Sequence, residues 1–170
     1  MAWHWRAALE RRGHNFIELG RAPLGREVHP AMYPLAAWLA AGRIRPRPDL
    51  VLAHEPASAS FVATNWPTIV FSHGLERRGW LASLRYEHLS GERIRLRSRL
   101  LFPIWRISMC DYALRQSPAA LVLNREDFDF CVDNYGRTLE NTLLYKNGVN
   151  LEPDQTSLRR QQDPDRKSVV

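Results

Sequence analysis

Several residues able to do acid, base or ligand-binding chemistry stand directly after short apolar runs. His54-Glu55 follows Asp49-Leu50-Val51-Leu52-Ala53, and His73-Gly74-Leu75-Glu76 follows Thr68-Ile69-Val70-Phe71-Ser72. An imidazole changes charge near neutral pH and can give or take a proton at a ligand, and a neighbouring glycine lets a ligand or backbone approach closely. His73-Gly74 therefore reads either as a site pair or as a plain turn. His54-Glu55 reads either as a hydrogen-bonded acid and base or as a solvated turn ahead of a helix. Glu76-Arg77-Arg78 offers charge for a polar or phosphate-bearing ligand, or is a charged surface loop. Asn124 and Asn147-Gly148-Val149-Asn150 stand after the last two apolar runs.

Other chemistries lose their sequence support. The chain contains no GxGxxG, GxxxxGK[ST], HExxH or GxSxG, so dinucleotide-binding, P-loop, zinc-protease and α/β-hydrolase readings have no motif to rest on. Its six histidines, at 4, 14, 29, 54, 73 and 88, are scattered, so no metal site and no bound cofactor are expected. Cys110 and Cys131 lack CxxC or zinc-finger spacing and read as two buried free thiols.

The elements that must position these residues follow from periodicity and punctuation. Ala2 to Arg12 reads as a helix ended by Gly13, His14 to Leu19 as a short strand, and Gly20 to Val28 as a loop. Pro30 to Gly42 has helical spacing of apolar residues, and Arg43 to Pro48 is a basic loop. The runs at 49–53 and 68–72 are strands, with a helix from Pro56 to about Thr64 between them. Ala119 to Leu123 is a third strand. Asn124, with Asp127 three residues later, caps a helix from Arg125 to about Asp133 that Asn134-Tyr135-Gly136 closes, and Thr142 to Tyr145 is the last strand. Strands of about five residues alternating with helices, each strand buried on both faces, predict an α/β fold: a Rossmann-like parallel sheet flanked by helices. In such sheets ligands bind beyond the carboxyl ends of the strands, which is where all the residues singled out above fall.

Composition agrees with a single domain. The chain has 170 residues, of which 45% are hydrophobic and 25% charged, with a net charge of +6. No run approaches the length of a membrane-spanning helix and no signal-peptide order opens the chain, so a cytoplasmic location is expected, with attachment to the inner membrane face left open. Residues 1–152 form the expected domain and 153–170 a disordered tail. Between Glu76 and Arg115 nine arginines stand against three glutamates and one aspartate, interleaved with leucines, isoleucine, phenylalanine and tryptophan. This stretch reads as an amphipathic segment for anionic lipid, or as a solvated helix pair covering the sheet; nucleic acid is not expected as a partner.

The ordered set Arg11-Arg12-Gly13-His14-Asn15-Phe16, Pro48 to Glu55, Pro67 to Glu76, Ala120 to Asn124 and Asn147-Gly148-Val149-Asn150 resembles the N-terminal half of family 4 glycosyltransferases. The resemblance covers about residues 2 to 152 and implies one half of a GT-B fold, the acceptor-side domain, with its first strand missing. It implies that a retaining enzyme moves a sugar from a nucleotide-sugar donor, held mainly by a second domain, to a glycan, lipid-linked or small-molecule acceptor. The chain alone is then expected to be inactive. By this resemblance His73 is the catalytic-centre residue and Gly74 lines the same cleft. His54, Glu55 and Glu76 lie on the acceptor side, and Asn147 and Gly148 lead into the interdomain connection. The alternative is a non-catalytic α/β binding module that docks on an anionic membrane or partner through its arginine-rich segment.

Overall fold

The computed structural model describes residues 2–19 and 32–146. The chain forms two compact units; the larger, Asn15–Lys146, carries the sheet, and helix α1 (Ala2–Glu10) lies in the other. Gly13, at φ 81°, follows α1 in the left-handed conformation expected of a helix terminator.

In the larger unit the elements are α2 (Tyr33–Ala41), β1 (Val51–His54), α3 (Ser58–Ala63), β2 (Thr68–Phe71), α4 (Glu76–Ser90), α5 (Leu96–Leu101), a π-helical segment (Phe102–Ile107), α6 (Ser108–Gln116), β3 (Ala119–Val122), α7 (Arg125–Tyr135) and β4 (Thr142–Leu144). The four strands are all parallel and pair in the order β1-β2-β3-β4. This is an α/β fold with a Rossmann-like parallel sheet flanked by helices, as the alternation of apolar runs predicts. His14 to Leu19 is the exception. It carries the β-prone residues Phe16 and Ile17, yet it forms no strand, because among the described residues no strand lies alongside it to complete its hydrogen bonds.

Period-two alternation sorts the strand residues. Ala53, Val70, Ala120 and Thr142 stand side by side across the four strands, and all are buried. Val70, Ala120 and Val122 pack against Ala59 of α3, Ala113 and Leu114 of α6, and Phe128 and Cys131 of α7. A second cluster joins Ala53 to Phe61 of α3 and Ala37 and Ala41 of α2. Burial of both faces, expected from the continuous apolar runs, holds in the middle of the sheet, where Leu121 on the opposite face is also buried, and fails at the edge strands. On the other face Leu52 keeps 37% and Leu143 53% of its surface exposed. Cys110 and Cys131 are free and fully buried, as expected.

Local chemistry sets the helix ends. Asn124 caps α7, its side-chain oxygen accepting the Asp127 N–H at 2.7 Å, and Gly136 ends the helix at φ 65°. Pro103 lacks the N–H that an α-helical turn needs, and there the helix widens into the π-helical segment, with the Ser108 hydroxyl donating to the Pro103 carbonyl at 2.9 Å. Arg137 is buried and ties the end of α6 to the start of β3: its Nε donates to the Leu114 carbonyl at 2.6 Å, and its guanidinium also bonds the Ser117 hydroxyl.

The crossover between β2 and β3 is a helical hairpin. Glu76 pairs with Arg106, Trp80 lies 5.2 Å from Phe102 ring to ring, and Glu87 pairs with Arg99 at 3.3 Å, so the α5 and π-helical stretch runs back antiparallel to α4. Neither α4 nor α5 contains a buried residue.

Leu114 is fully buried in the main cluster, so Leu114→Ala should lower the unfolding free energy by about 2–5 kcal/mol in urea denaturation. Leu89, 75% exposed on the hairpin, should change it by less than about 0.5 kcal/mol on the same substitution.

Candidate functional site

Parallel pairing brings the carboxyl ends of β1, β2 and β4 to one edge, and the residues after them meet there. Successive residues of an extended strand point to opposite sides, so the neighbours His54 and Glu55 separate. His54, the last residue of β1, is exposed, whereas Glu55 is only 3% exposed. The two are therefore not an acid–base pair through their side chains. His54 Nδ1 lies 2.6 Å from the main-chain oxygen of Glu55, which can only accept, so Nδ1 carries a proton and donates it there.

His54 shares a ring cluster with three other residues of this edge. Its imidazole is 5.1 Å from that of His73 and 5.5 Å from the Phe71 ring; Phe71 in turn lies 4.6 Å from His73 and 5.0 Å from Tyr145. The Tyr145 hydroxyl donates to the Ser72 carbonyl at 3.1 Å and is 3.4 Å from His73 Nδ1. With its one proton committed to Ser72, that hydroxyl can accept from His73 Nδ1–H, which leaves Nε2 of the neutral His73 ring as an acceptor. Burial, reinforced by the nearby His54, lowers the His73 pKa, so neutral imidazole is the form present near pH 7. Burial also pushes the Tyr145 phenol up to about 12, keeping it a donor.

The turn from β2 into α4 needs its glycine. Gly74 sits at φ 150°, a region that L side chains avoid, and its N–H donates to the Ser72 hydroxyl at 3.2 Å. Leu75 then plugs the core, and Glu76 opens α4.

Leu75, at the cap position of α4, makes no side-chain cap, and the orphan N–H of Glu76 is taken up from another strand: Glu55 Oε2 accepts it at 3.3 Å. The same carboxyl has no hydrogen-bond partner for Oε1 among the described residues. Burial drives the Glu55 pKa up to about 7, only partly offset by the Ser72 hydroxyl, the Glu76 amide and the Cys110 thiol beside it. Glu55 is thus a buried carboxyl able to hold or release a proton at neutral pH, placed between the first turn of α4 and the body of the fold.

The charged triplet at the start of α4 does not stand free for a ligand. Glu76 pairs with Arg106, Arg77 is bidentate to Asp111, through Nε to Oδ1 at 2.9 Å and through Nη2 to Oδ2, and Arg78 bonds Asp127. Tyr135 also donates to Asp111, at 2.9 Å. These side chains anchor α4 to the π-helical segment, to α6 and to α7, so each of the charges offered for a ligand already has a partner within the fold. Asn124 lies at the end of β3, but its amide is spent on the α7 cap and on Asp127.

His54, Glu55, His73, Gly74 and the start of α4 at Glu76 are therefore brought together, while Asn147 and Gly148 lie outside the described residues. Sequence reasoning missed Phe71, Tyr145 and Arg106 as members of this edge. Phe71 and Tyr145 were legible only as the ends of strands, and Arg106 lies in a run of arginines with nothing to single it out. Among the described residues no three His, Cys, Asp or Glu side chains gather as a metal site. Comparison of the chain with protein-family models, with curated proteins and with solved structures finds no match.

The folded protein holds the Glu55 proton up to about pH 7, whereas an ordinary glutamate releases it near 4.5. Between those values the unfolded chain binds fewer protons, so stability falls as pH rises through this window, by up to roughly 3 kcal/mol from this group. Urea denaturation across the window should show that decline in the wild type and a flatter profile in Glu55→Gln; parallel profiles would exclude Glu55 as the source. Gly74→Ala should cost about 1–3 kcal/mol in the same assay, through backbone strain alone, since an added Cβ meets no atom within 4 Å.

Proposed function

We propose that this chain is the acceptor-side domain of a retaining GT-B glycosyltransferase of the family 4 type. The observation that carries the reading is the convergence of His54, Glu55, His73, Gly74 and the α4 N-terminus at the carboxyl edge of a parallel sheet, where open α/β sheets bind ligands. These residues come from segments whose order and spacing carry the resemblance, and the cluster has the polarity of a sugar site. The His73 imidazole, neutral near pH 7, offers an acceptor for a sugar hydroxyl, the His54 imidazole stands beside it, and aromatic rings lie alongside both.

In this reading a donor-binding domain, supplied in the same chain or by a partner, closes over the edge and holds a nucleotide-sugar. The acceptor is a glycan, a lipid-linked saccharide or a small molecule, and the reaction takes place in the cytoplasm. His73 Nε2 accepts from a hydroxyl of the donor sugar and so fixes its anomeric carbon against the acceptor. His54 orients the acceptor, and Gly74 lets the sugar approach the backbone. Catalysis is then mostly positioning, with the departing phosphate stabilised from the donor side. Glu55 acts through α4: by capping Glu76 N–H it sets the height of the turn that carries His73 and Gly74.

The test is turnover of a nucleotide-sugar by this chain joined to a donor-binding domain. His73→Ala should lower kcat/KM by about 100-fold with little change in fold stability. Unchanged turnover would remove His73 from the site, and failure of the joined protein to turn over any nucleotide-sugar would remove the transferase reading.

A further inference from the structure

The hairpin between β2 and β3 is unlike the rest of the larger unit. Its inner side is ordered by Trp80 against Phe102 and by Glu87 against Arg99, while its outer side carries large apolar residues in the open. Leu81 and Leu89 stand on one face of α4 with Arg85 between them, at i, i+4 and i+8. On α5, Leu96 and Leu100 lie one turn apart, and Arg97 and Arg99 fall on either flank of that ridge. Leu89, Leu96 and Ile104 are 75%, 71% and 70% exposed, values out of keeping with leucines and isoleucine that serve only the fold.

The cations match this apolar surface. Arg93 and Arg95 lie in the irregular stretch between α4 and α5, outside either helix, next to the exposed leucines of both. Arg85, Arg93, Arg95 and Arg97 make no hydrogen bond or ion pair with any described residue. They differ in this from Arg77, Arg78 and Arg106 at the base of the hairpin, which are all paired.

We infer that the outer face of the α4–α5 hairpin is a docking surface for an anionic lipid bilayer. Aliphatic side chains flanked by unpaired arginines suit the boundary between acyl chains and phosphate headgroups, where leucine and isoleucine leave water and guanidinium groups bind phosphate. An anionic protein or a nucleic acid would answer the arginines but leave the leucine ridge against charge. No helix among the described residues is long and apolar enough to cross a membrane, so the hairpin lies in the interface plane. The base of the hairpin is fastened to the site by Arg106, whose partner Glu76 donates its N–H to Glu55. The surface stands whether or not the carboxyl edge transfers a sugar.

Co-sedimentation of the whole chain with vesicles of phosphatidylglycerol and phosphatidylcholine, against phosphatidylcholine alone, tests the inference. Binding should be confined to the anionic vesicles and should weaken with added salt. Replacing Arg85, Arg93, Arg95 and Arg97 together by Gln should weaken it at least about a hundredfold, since each arginine near a charged surface contributes roughly fivefold. Leu96→Ser with Leu100→Ser should cost about tenfold or more and should leave only binding that salt abolishes. All six positions are exposed, and circular dichroism identical to the wild type confirms the fold of both variants. Absence of binding to the anionic vesicles, equal binding to both kinds, or wild-type binding by the arginine variant would each overturn the inference. So would self-association through this face, seen by light scattering of the wild type and lost in the leucine variant.

Discussion

Parallel strands cannot be joined by a tight turn, and most of this molecule follows from that restriction. Each strand has to be followed by a crossover that carries the chain back to the starting edge, so every strand ends at the same side of the sheet. That places His54, which ends β1, beside His73, which follows β2, and lets Tyr145, 73 residues along the chain from Ser72, bond the Ser72 carbonyl. The same restriction puts the helices where the sheet needs cover. Residues at alternate strand positions form the buried row Ala53, Val70, Ala120 and Thr142, and that row selects the apolar faces of α3, α6 and α7 as its partners.

The β2–β3 crossover is much longer than the others, and its two ends have different physics. At the base, Glu76, Arg77 and Arg78 each find an oppositely charged partner on a different element: Arg106, Asp111 and Asp127. The three pairs are partly buried and Asp127 is buried outright, so they fix the register of α4, and loss of Arg78 would leave a buried carboxylate without its cation. The Arg77–Asp111 pair is bidentate and shares its carboxylate with Tyr135, so it holds the geometry most firmly. Beyond the base neither α4 nor α5 contains a buried residue, and the outer side of the hairpin combines exposed leucines with arginines that pair with no described residue. A segment built this way adds little to the fold, which is why its composition reads as a contact surface.

Glu55 links these two regions. Its position after a strand residue that faces solvent forces its carboxyl inward, where the only described backbone donor it meets is the amide at the start of α4. The buried carboxyl is therefore held by the Glu76 amide, with the Ser72 hydroxyl and Cys110 thiol beside it and Oε1 without a hydrogen-bond partner among the described residues. That arrangement costs stability whenever the group is ionised. In return it positions the turn that carries His73 and Gly74. A buried carboxyl whose pKa is raised by burial, beside a cluster of imidazoles, is a common mark of a functional site.

How much of this was legible in the chain depended on the range of the interaction. The four strands, the Asn124 cap, the glycine ends after α1 and α7 and the two free buried thiols were all readable, because each rests on a local pattern: an apolar run, a cap residue three positions from its target, or a backbone angle that only glycine adopts easily. His14 to Leu19 misled because β-propensity cannot supply a neighbouring strand. Arg93 and Arg95 precede the helix that begins at Leu96, so no helical period joins them to Arg97 and Arg99. The sequence by itself thus determined the α/β class, the placement of His54, Glu55, His73, Gly74 and Glu76 beyond strand ends, and the basic character of the hairpin. Only the tertiary structure decided that His54 and Glu55 point apart, that Glu55 caps α4 from another strand, that Glu76, Arg77 and Arg78 are spent on partners 30 or more residues away, and that Phe71 and Tyr145 complete the ring cluster. Those outcomes depend on pairings between distant segments, and such pairings leave no periodic trace in the order of residues.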